Sequence, residues 1–237
     1  MALKRVPIWS PNYSSRGGSS VRLVVIHTAE GALTYQSLGS FFQSSSAGVS
    51  SHTGIDDTLG TIGEYVRRDQ KAWTAANANP VAVQTELCAF AAWTSADWQK
   101  HQNMLRNTAD WIAEECAHFG IPITKLSAGE AQGSGRGVCG HVDLGSWGGG
   151  HWDPGPAFPW NQVLDMARGG SGPTPPKEDE IVAITTGVNK AGALHVFYEA
   201  KDGSVWYTWQ RPGDTAWQGG KPGQSTAKLQ PFAPAPK

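Results

Sequence analysis

A glycine- and proline-rich segment divides the chain into two parts of different composition. Residues 169–176 read Gly-Gly-Ser-Gly-Pro-Thr-Pro-Pro. A glycine-rich stretch is flexible and a proline-rich stretch is stiff, and the combination is typical of an interdomain linker. The part before this segment is long enough for one sizeable domain, and the part after it is small. The sequence therefore predicts a main domain at 1–168, a linker at 169–180 and a small domain at 181–237.

The bulk composition indicates a folded protein and excludes two classes of partner. Apolar residues make up 39% of the chain and charged residues 16%, which indicates a folded rather than a disordered chain. The formal net charge of -1 gives no broad attraction to nucleic acid or to a membrane surface. No apolar run has the length of a transmembrane helix, and the N-terminus lacks the apolar core of a secretory signal. We therefore expect neither nucleic acid nor a membrane as a partner.

Alternating strand and helix patterns in the main domain predict an α/β fold. The predicted strands lie at about 21–26, 50–57, 62–66 and 81–87, and the predicted helices lie at about 34–43 and 96–119. Leu38, Phe41 and Phe42 are expected on the inner face of the first helix. Ser95 is expected to cap the second helix, which ends at Gly120. Residues before the first strand read as an extended arm. The patterns predict a mixed central β-sheet with helices packed on it, followed by a small all-β module.

Two histidines and an aspartate stand where a metal site is expected. His27 ends the first predicted strand, and His141 and Asp153 lie in a segment dense in glycine and proline. Such loops hold a fixed conformation and expose side chains to a cleft. Two imidazoles and one carboxylate make a zinc shell with one position left open for water. Cys139 is a weaker candidate than Asp153, because a Cys-x-His pair on one metal ion is sterically tight.

A zinc-activated water needs a second group that handles protons, for which Glu86 is the candidate, and two further side chains are candidates for supporting roles. Glu86 is either a catalytic base or an exposed strand carboxylate. His151 lies two residues before Asp153, so an extended backbone points both side chains to the same side, where His151 can donate to a developing oxyanion. Asp143 either orients a ligand histidine or fills a turn. The residues alone leave the interpretations of Glu86 and Asp143 open.

Six blocks of the main domain resemble, in the expected order, those of the zinc-dependent N-acetylmuramoyl-L-alanine amidases, a fold shared with peptidoglycan recognition proteins. The blocks are Val24-Val25-Ile26-His27-Thr28-Ala29-Glu30-Gly31, Ser50-Ser51-His52-Thr53-Gly54-Ile55-Asp56, Ala72-Trp73-Thr74-Ala75-Ala76-Asn77, Val83-Gln84-Thr85-Glu86-Leu87, Gly140-His141-Val142-Asp143 and Asp153-Pro154-Gly155-Pro156-Ala157-Phe158-Pro159-Trp160. The resemblance covers residues from about 20 to 168. Six blocks in one order are far more specific than any single block.

The resemblance implies a ligand set, a catalytic residue and a reaction. It implies zinc ligands at His27, His141 and Asp153, and a catalytic glutamate at Glu86. The implied reaction is hydrolysis of the amide between the lactyl group of N-acetylmuramic acid and the L-alanine of the stem peptide. His151 would then help the zinc ion to stabilise the oxyanion.

The chain departs from the family pattern at three positions. The family position two before the last ligand is often a lysine, and here it is His151, which as a neutral group is a weaker electrostatic partner and makes activity more sensitive to pH. Some relatives carry a tyrosine where Ser51 stands. The family block Ala-Trp-His-Ala-Gly has Thr74 in place of its histidine. None of these departures removes an implied metal ligand or Glu86.

The small domain reads as an all-β module. Its aromatic and β-branched runs lie at 181–184, 194–198 and 205–209, and Lys201-Asp202-Gly203 between the last two is a hairpin signal. The last two runs resemble one blade of a tachylectin-like or propeller-type sugar-binding repeat. The aromatic side chains either stack on a cell-wall glycan or form the core of the module; they are Trp206, Tyr207, Trp209 and Trp217. A single blade leaves its sheet edges unpaired, which allows association with other copies.

An amidase domain joined by a linker to a small wall-binding module resembles a bacteriophage endolysin. The absence of a recognisable signal peptide fits synthesis in the host cytoplasm and action on the bacterial wall after release. A cytoplasmic enzyme that recycles muropeptides is a related possibility, but it would not need the second module. Two further interpretations are a peptidoglycan-binding protein without activity and a zinc peptidase that cuts within the stem peptide. All three implied metal ligands remain, which favours catalysis over binding alone.

Overall fold

The chain divides into two compact units, Met1–Arg168 and Gly169–Lys237, and each is described by itself. The structure, a computed structural model, describes residues 3–169, 181–188, 194–200, 205–210 and 218–220. No helix among these residues is long and apolar enough to cross a membrane. The predicted linker lies almost wholly outside the described residues, so its boundaries remain a prediction.

The first unit is built on a six-stranded mixed sheet. Its strands are β1 (Lys4–Pro7), β3 (Leu23–Thr28), β4 (Thr53–Ile55), β5 (Thr61–Glu64), β7 (Ala82–Leu87) and β8 (Gly137–Gly140), and β2 (Tyr13–Ser15) pairs with β6 (Gln70–Ala72) in a separate ribbon. The strand order of the large sheet is β1-β5-β4-β7-β3-β8. Only the β4–β5 pair within it is antiparallel. The predicted mixed sheet and its hairpin are confirmed.

Five α-helices and three 3-10 segments complete the first unit. The helices are α1 (Tyr35–Phe42), α2 (Ser95–Gln99), α3 (Gln102–Phe119), α4 (Ala128–Gln132) and α5 (Trp160–Ala167), and the 3-10 segments are Ser45–Ala47, Ala76–Val81 and His141–Gly148. The helices α1, α3 and α5 pack in one apolar cluster with alternate residues of β3, such as Val24 and Ile26. The intervening residues Leu23 and Val25 pack in a second cluster. Both faces of the sheet are therefore covered, as is usual for parallel strands.

The neighbouring strands β3 and β7 have their carboxyl ends on the same side of the sheet. All six residues of β3 are buried. β3 runs parallel to β7, in a register that places His27 beside Glu86. The carboxyl ends of parallel strands are where open α/β sheets bind their ligands. The predicted metal ligand and the predicted proton acceptor are therefore neighbours at these carboxyl ends.

Helix α1 begins and ends close to the predicted positions, with one error in its inner face. Thr34 caps the helix by accepting from the backbone N–H of Ser37 at 3.1 Å. Leu38 and Phe42 are buried as expected, but Phe41 is 54% exposed. At about 100° per residue, Phe41 lies off the stripe that Leu38 and Phe42 share, so the prediction for Phe41 was wrong.

The single long helix predicted at 96–119 is two helices. Thr94, not Ser95, caps α2, and His101 takes a non-helical conformation with φ of -113° and ψ of 50°. The His101 ring stacks on Trp93 and is hydrogen-bonded to Asp57, whose other carboxylate oxygen accepts from the first turn of α3. A side chain from a distant segment thus caps α3, and this contact overrides the helical pattern. The predicted end at Gly120 is confirmed, since the backbone of this glycine is in the left-handed region and its N–H donates to the carbonyl oxygen of Cys116.

The extended arm predicted before β3 contains two strands. β1 pairs in parallel with β5 at the edge of the sheet. Arg5 on β1 bonds the carboxylates of Glu114 and Glu115 on α3, at 2.8 and 2.7 Å. These partners are more than a hundred residues away, so the local sequence gives little sign of the strand.

The described residues of the second unit form a four-stranded antiparallel sheet. Its strands are β9 (Ile181–Val188), β10 (Leu194–Ala200), β11 (Val205–Gln210) and β12 (Gln218–Gly220), in the order β12-β11-β10-β9. The three predicted strands are confirmed, and β10 pairs antiparallel with β11 as a hairpin requires, while the all-β class of the whole module stays a prediction. The hairpin residues Lys201-Asp202-Gly203 and Trp217 lie outside the described residues, as do the side chains of Trp206, Tyr207 and Trp209.

Candidate metal centre

The structure brings the three predicted metal ligands together. His27 is the last residue but one of β3, His141 follows β8 directly, and Asp153 lies in the loop before α5. The two Nδ1 atoms of the histidines are 2.9 Å apart, and they lie 3.5 Å (His27) and 3.2 Å (His141) from the carboxylate oxygens of Asp153. All three residues are buried. Within the described residues they form the one group of three with metal-ligand spacing.

Both imidazoles turn an unprotonated Nδ1 toward this point. The Nε2 of His27 lies 2.9 Å from Oε1 of Gln84, and the Nε2 of His141 lies 2.8 Å from the carbonyl oxygen of Gly148. These oxygens accept hydrogen bonds, so each Nε2 carries a proton, and in the neutral form of the ring each Nδ1 has the lone pair. Two lone pairs that face each other at 2.9 Å repel unless a cation lies between them and the carboxylate. The donor set therefore fits a divalent metal ion.

The protonation states also fit metal binding. Burial lowers the pKa of His27, which keeps that imidazole neutral. Asp153 accepts a hydrogen bond from the backbone N–H of Thr28 at 3.2 Å, which favours its ionised form. A neutral imidazole and an ionised carboxylate are the forms that bind metal ions. Two nitrogens and one carboxylate oxygen are ligands that catalytic zinc sites use.

Cys139 is not part of this group. Its side chain is buried with Leu23 and Val25, and it pairs in register with Val25 rather than with His27. Burial raises the pKa of the Cys139 thiol to about 12. A protonated thiol inside an apolar cluster is no metal ligand, so the structure agrees with the preference for Asp153.

Glu86 lines the same cleft as the three ligands. It follows two residues after Gln84 on β7, and its Oε2 atom is buried without a hydrogen-bond partner among the described residues. Burial, and then the negative charges of Asp153 and Glu30, raise the pKa of Glu86 to about 8. Such a carboxyl holds or releases a proton near neutral pH, which is what a general acid or base requires.

His151 lies at the mouth of the cleft beside the metal ligands. Its ring stacks on that of His141 with the ring centres 4.4 Å apart and the planes 11° apart. Its Nδ1 is 3.9 Å from a carboxylate oxygen of Asp153, so both side chains face the same side, and the His151 side chain is 63% exposed. Gly149 and Gly150 have φ values of 109° and 79°, which residues with a side chain rarely adopt, and they turn the loop back toward the site.

Asp143 belongs to the turn rather than to the metal centre. Its carboxylate accepts from the backbone N–H of Gly140 at 2.7 Å and from Nζ of Lys125 at 2.6 Å. Neither ligand histidine is among its hydrogen-bond partners in the described part of the chain. Of the two interpretations left open by the sequence, the turn residue is the one that the contacts support.

An apolar rim surrounds the metal ligands. The cleft has a volume of about 530 Å³. Five large apolar side chains, each at least 37% exposed, line it: Leu33, Phe41, Val49, Trp73 and Trp152. A gathering of exposed apolar side chains around one cleft marks a binding surface. None of these five side chains was predicted from the sequence to line a cleft, and Phe41 was predicted to face the core.

Two further polar residues of the site, Glu30 and Gln84, were given no role by the prediction from sequence. Glu30 lines the cleft and has a φ of 51°, with its carboxylate accepting from Thr28 Oγ1 at 2.6 Å and from the Ala91 N–H at 2.9 Å. Gln84 is fully buried and bonds His27. The available signal was a glutamine in a predicted strand two residues before Glu86, because a buried amide needs partners.

Comparisons with known proteins agree with this geometry. The family model described as N-acetylmuramoyl-L-alanine amidase matches residues 17–156. N-acetylmuramoyl-L-alanine amidase A of Achromobacter lyticus is 31% identical over 175 residues, which cover 70% of this chain and 95% of that protein.

Solved structures share the fold. The Staphylococcus aureus hydrolase AmiA, solved with its ligand, has a TM-score of 0.56 and 19% identity, over 70% of this chain and 82% of that one. The endolysin amidase LysCS of Clostridium intestinale has a TM-score of 0.51 and 15% identity, over 71% of this chain and 97% of that one. The family match spans the predicted ligands His27 and His141 and ends just past Asp153. The chain belongs to the N-acetylmuramoyl-L-alanine amidase family.

Proposed function

We propose that the chain hydrolyses the amide between the lactyl group of N-acetylmuramic acid and the L-alanine of the stem peptide in peptidoglycan. One observation carries the proposal: two imidazole lone pairs and a carboxylate converge beside the buried carboxyl of Glu86. Amide hydrolysis needs an activated water, a proton acceptor and a group that stabilises the oxyanion. Membership of the family supports the same reaction.

Zinc is the metal that we propose for this site. The residues that would hold it are His27, His141 and Asp153, which leave a fourth position open to water. Bound there, zinc lowers the pKa of a water molecule and polarises the substrate carbonyl. The hydrogen bonds from the two Nε2 atoms to Gln84 and Gly148 hold the imidazoles in the orientation that zinc needs.

Glu86 is the general base in this proposal. Its raised pKa, about 8, means that the carboxylate has a high affinity for a proton at neutral pH. It takes the proton of the attacking water and returns it to the departing amine of L-alanine, so that the amine leaves in a neutral form. A base whose pKa lies near the working pH performs both transfers efficiently.

His151 is the residue that we propose to stabilise the oxyanion. Its exposed side chain can reach a substrate at the mouth of the cleft, and stacking on His141 limits the rotation of its ring. An N–H of the imidazole can therefore be directed at the carbonyl oxygen on which negative charge develops.

Digestion of purified peptidoglycan separates this proposal from a peptidase and from a recognition protein. The chain, its Glu86→Gln variant and a sample treated with a chelator are compared, and the products are read by mass spectrometry. The proposal predicts stem peptides that begin with a free L-alanine, and their loss in the variant and after chelation. Cuts within the stem peptide would indicate a peptidase instead. Tight binding to peptidoglycan without products would indicate a recognition protein.

We further propose that the chain acts in phage-driven lysis, made in the host cytoplasm and released to the cell wall. Its division into two units and the fold shared with an endolysin amidase support this role. Expression inside a bacterium, with and without an agent that permeabilises the inner membrane, tests it. Rapid lysis is expected only with the agent. Equal lysis without it would contradict the proposal.

The second unit is proposed to bind a cell-wall glycan and to associate with other copies. An antiparallel sheet whose edge strands are β9 and β12 supports self-association, because strand edges pair readily. Binding of the full-length Glu86→Gln variant to glycan strands freed of stem peptides tests the first point. Sedimentation at increasing concentration tests the second, and a monomer throughout would contradict it.

A further inference from the structure

We propose that Asn79 and Gln84 act together as positioning residues that fix the proton of His27 on Nε2. The two amides connect the metal ligand to the backbone of the segment after Trp73. The proposal rests on zinc as the metal of the proposed function. It goes beyond that function by assigning roles to two residues that touch neither the metal position nor the substrate cleft.

Two backbone N–H groups fix the orientation of the Asn79 amide. One side-chain atom of Asn79 lies 3.1 Å from the backbone nitrogen of Thr74 and 2.6 Å from that of Ala75. Backbone N–H groups only donate. The atom that receives both must therefore be the amide oxygen, so the backbone decides which way the Asn79 amide faces.

The oriented amide of Asn79 in turn fixes the orientation of the Gln84 amide. The same oxygen of Asn79 lies 2.9 Å from the Gln84 side chain. Since an oxygen accepts, Gln84 must present its NH₂ group to Asn79 and its Oε1 to the other side. There, 2.9 Å away, lies Nε2 of His27, which must be the donor. His27 then keeps the lone pair on Nδ1, the atom that faces His141 and Asp153.

The hydrogen-bond relay formed by Asn79, Gln84 and His27 is shielded from water. Gln84 is 0% exposed, His27 is 1% exposed and Asn79 is 8% exposed, so solvent cannot easily replace a lost partner. Arg16 fixes the far end of the relay, donating from one nitrogen to the carbonyl oxygens of Asn79, Pro80 and Ala82 at 3.2, 2.9 and 2.9 Å. A buried amide that faces the wrong way leaves unpaired groups, so one arrangement is strongly favoured.

The relay also connects the metal centre, by hydrogen bonds, to the wall of the cleft at Thr74. Thr74, whose N–H donates to Asn79, lines the cleft next to Trp73. The Thr74 hydroxyl donates to the carbonyl of Ser50 at 2.7 Å, which anchors this wall. In the family block that this segment resembles, a histidine stands at this position. Here the backbone of Thr74 orients the amide of Asn79.

Three variants and one control test the proposal. Gln84→Met keeps the volume and removes both amide functions. Asn79→Leu leaves Gln84 and His27 intact but removes the acceptor that orients Gln84. Asn79→Asp keeps that acceptor, because only the NH₂ group is exchanged. The control is Asn107→Leu, since Asn107 is a fully buried amide that bonds Gly60 and Thr58 away from the metal centre.

Zinc affinity is measured by competition with a chromophoric chelator, on the full-length protein and without substrate. Gln84→Met and Asn79→Leu are expected to bind zinc about 10- to 100-fold more weakly, as is usual when a partner of a ligand histidine is lost. Asn79→Asp is expected to keep the original affinity. Asn107→Leu is expected to lower the melting temperature without a change in zinc affinity. Unchanged affinity in a folded Gln84→Met or Asn79→Leu variant would overturn the proposal.

A second measurement does not depend on zinc or on activity. Nitrogen-15 NMR of the imidazoles in the metal-free protein reports which ring nitrogen carries the proton. His27 is expected to be protonated on Nε2 in the unmodified protein and in Asn79→Asp, and to become a mixture in Asn79→Leu. A proton on Nδ1 in the unmodified protein would refute the relay. If His27 is protonated on Nε2 but the chain releases no muramyl products, the proposed function is refuted while the positioning role of Asn79 and Gln84 stands.

Discussion

Replacement of Glu86 by glutamine should stabilise the metal-free protein while it removes activity. The Glu86 carboxyl has a pKa of about 8, against an ordinary value of 4.5, because burial disfavours its charged form. Between these two values the folded chain binds a proton that the unfolded chain has released. The free energy of unfolding therefore falls as the pH rises from 4.5 to 8. A glutamine carries no charge, so it removes this penalty.

The magnitude follows from the size of the pKa shift. At pH 7, 2.5 units above the ordinary pKa of 4.5, the penalty is at most about 3.5 kcal/mol at roughly 1.4 kcal/mol per pH unit. We expect about 2 kcal/mol, because the Glu86 residue keeps some exposure to solvent. For a chain of this size, that corresponds to a melting temperature higher by about 4 to 8 °C. Loss of the general base should lower kcat by a factor of about 10² to 10⁴.

Calorimetry with a chelator present, at pH 5 and at pH 7, measures the effect. The gain of Glu86→Gln over the unmodified chain should be small at pH 5 and larger at pH 7. Glu115→Gln is the matched control: Glu115 is also buried, but it is paired with Arg5 at 2.7 Å and Arg68 at 3.0 Å, so this variant should be destabilised. A Glu86→Gln variant that melts below the unmodified chain at pH 7 would refute the reasoning.

Three further predictions concern other parts of the first unit. Burial, and then the charge of Arg16, lower the pKa of His52 to about 3. Below pH 6.5 the unfolded chain therefore binds more protons than the folded chain, and the free energy of unfolding should fall as the pH drops from 6.5 toward 3. Acid titrations should show a smaller slope for His52→Gln. Gly155→Ala should be destabilised by about 3 kcal/mol in urea unfolding, because Gly155 has a φ of 86° and a new Cβ would lie 1.9 Å from the carbonyl oxygen of Ala91; unchanged stability would contradict this. His151→Ala should lower kcat about 10- to 100-fold without a change in zinc affinity, and an unchanged kcat would remove His151 from the mechanism.

The three residues of the candidate metal centre could be picked out from the sequence because their signals are local. His27 ends a continuous apolar strand, and His141 and Asp153 stand in short glycine- and proline-rich loops. Residue chemistry and position, at the end of an apolar run or in a fixed loop, were sufficient to select them, and the structure then brings them together at the carboxyl ends of parallel strands. Resemblance to the amidase family then supplied Glu86, which the residues alone left open.

Features that depend on distant partners could not be predicted in the same way. Asp57 breaks the long helix at His101 through contacts that no local pattern shows. The role of Gln84 depends on Asn79 and on the backbone beyond it, and a sequence does not show how an amide faces. Strand β1 is held at the sheet edge by pairing with β5, and it has no apolar alternation of its own.

Hydrolysis of peptidoglycan in water enriched in oxygen-18 tests the central claim most directly. If the chain cleaves the amide between N-acetylmuramic acid and L-alanine, the heavy oxygen must enter the lactyl carboxylate on the glycan side, and the released stem peptide must carry a free amine and no label. Mass spectrometry of both product classes distinguishes the outcomes. Label in the stem peptide, or an unlabelled lactyl carboxylate beside cleaved peptides, would contradict the account.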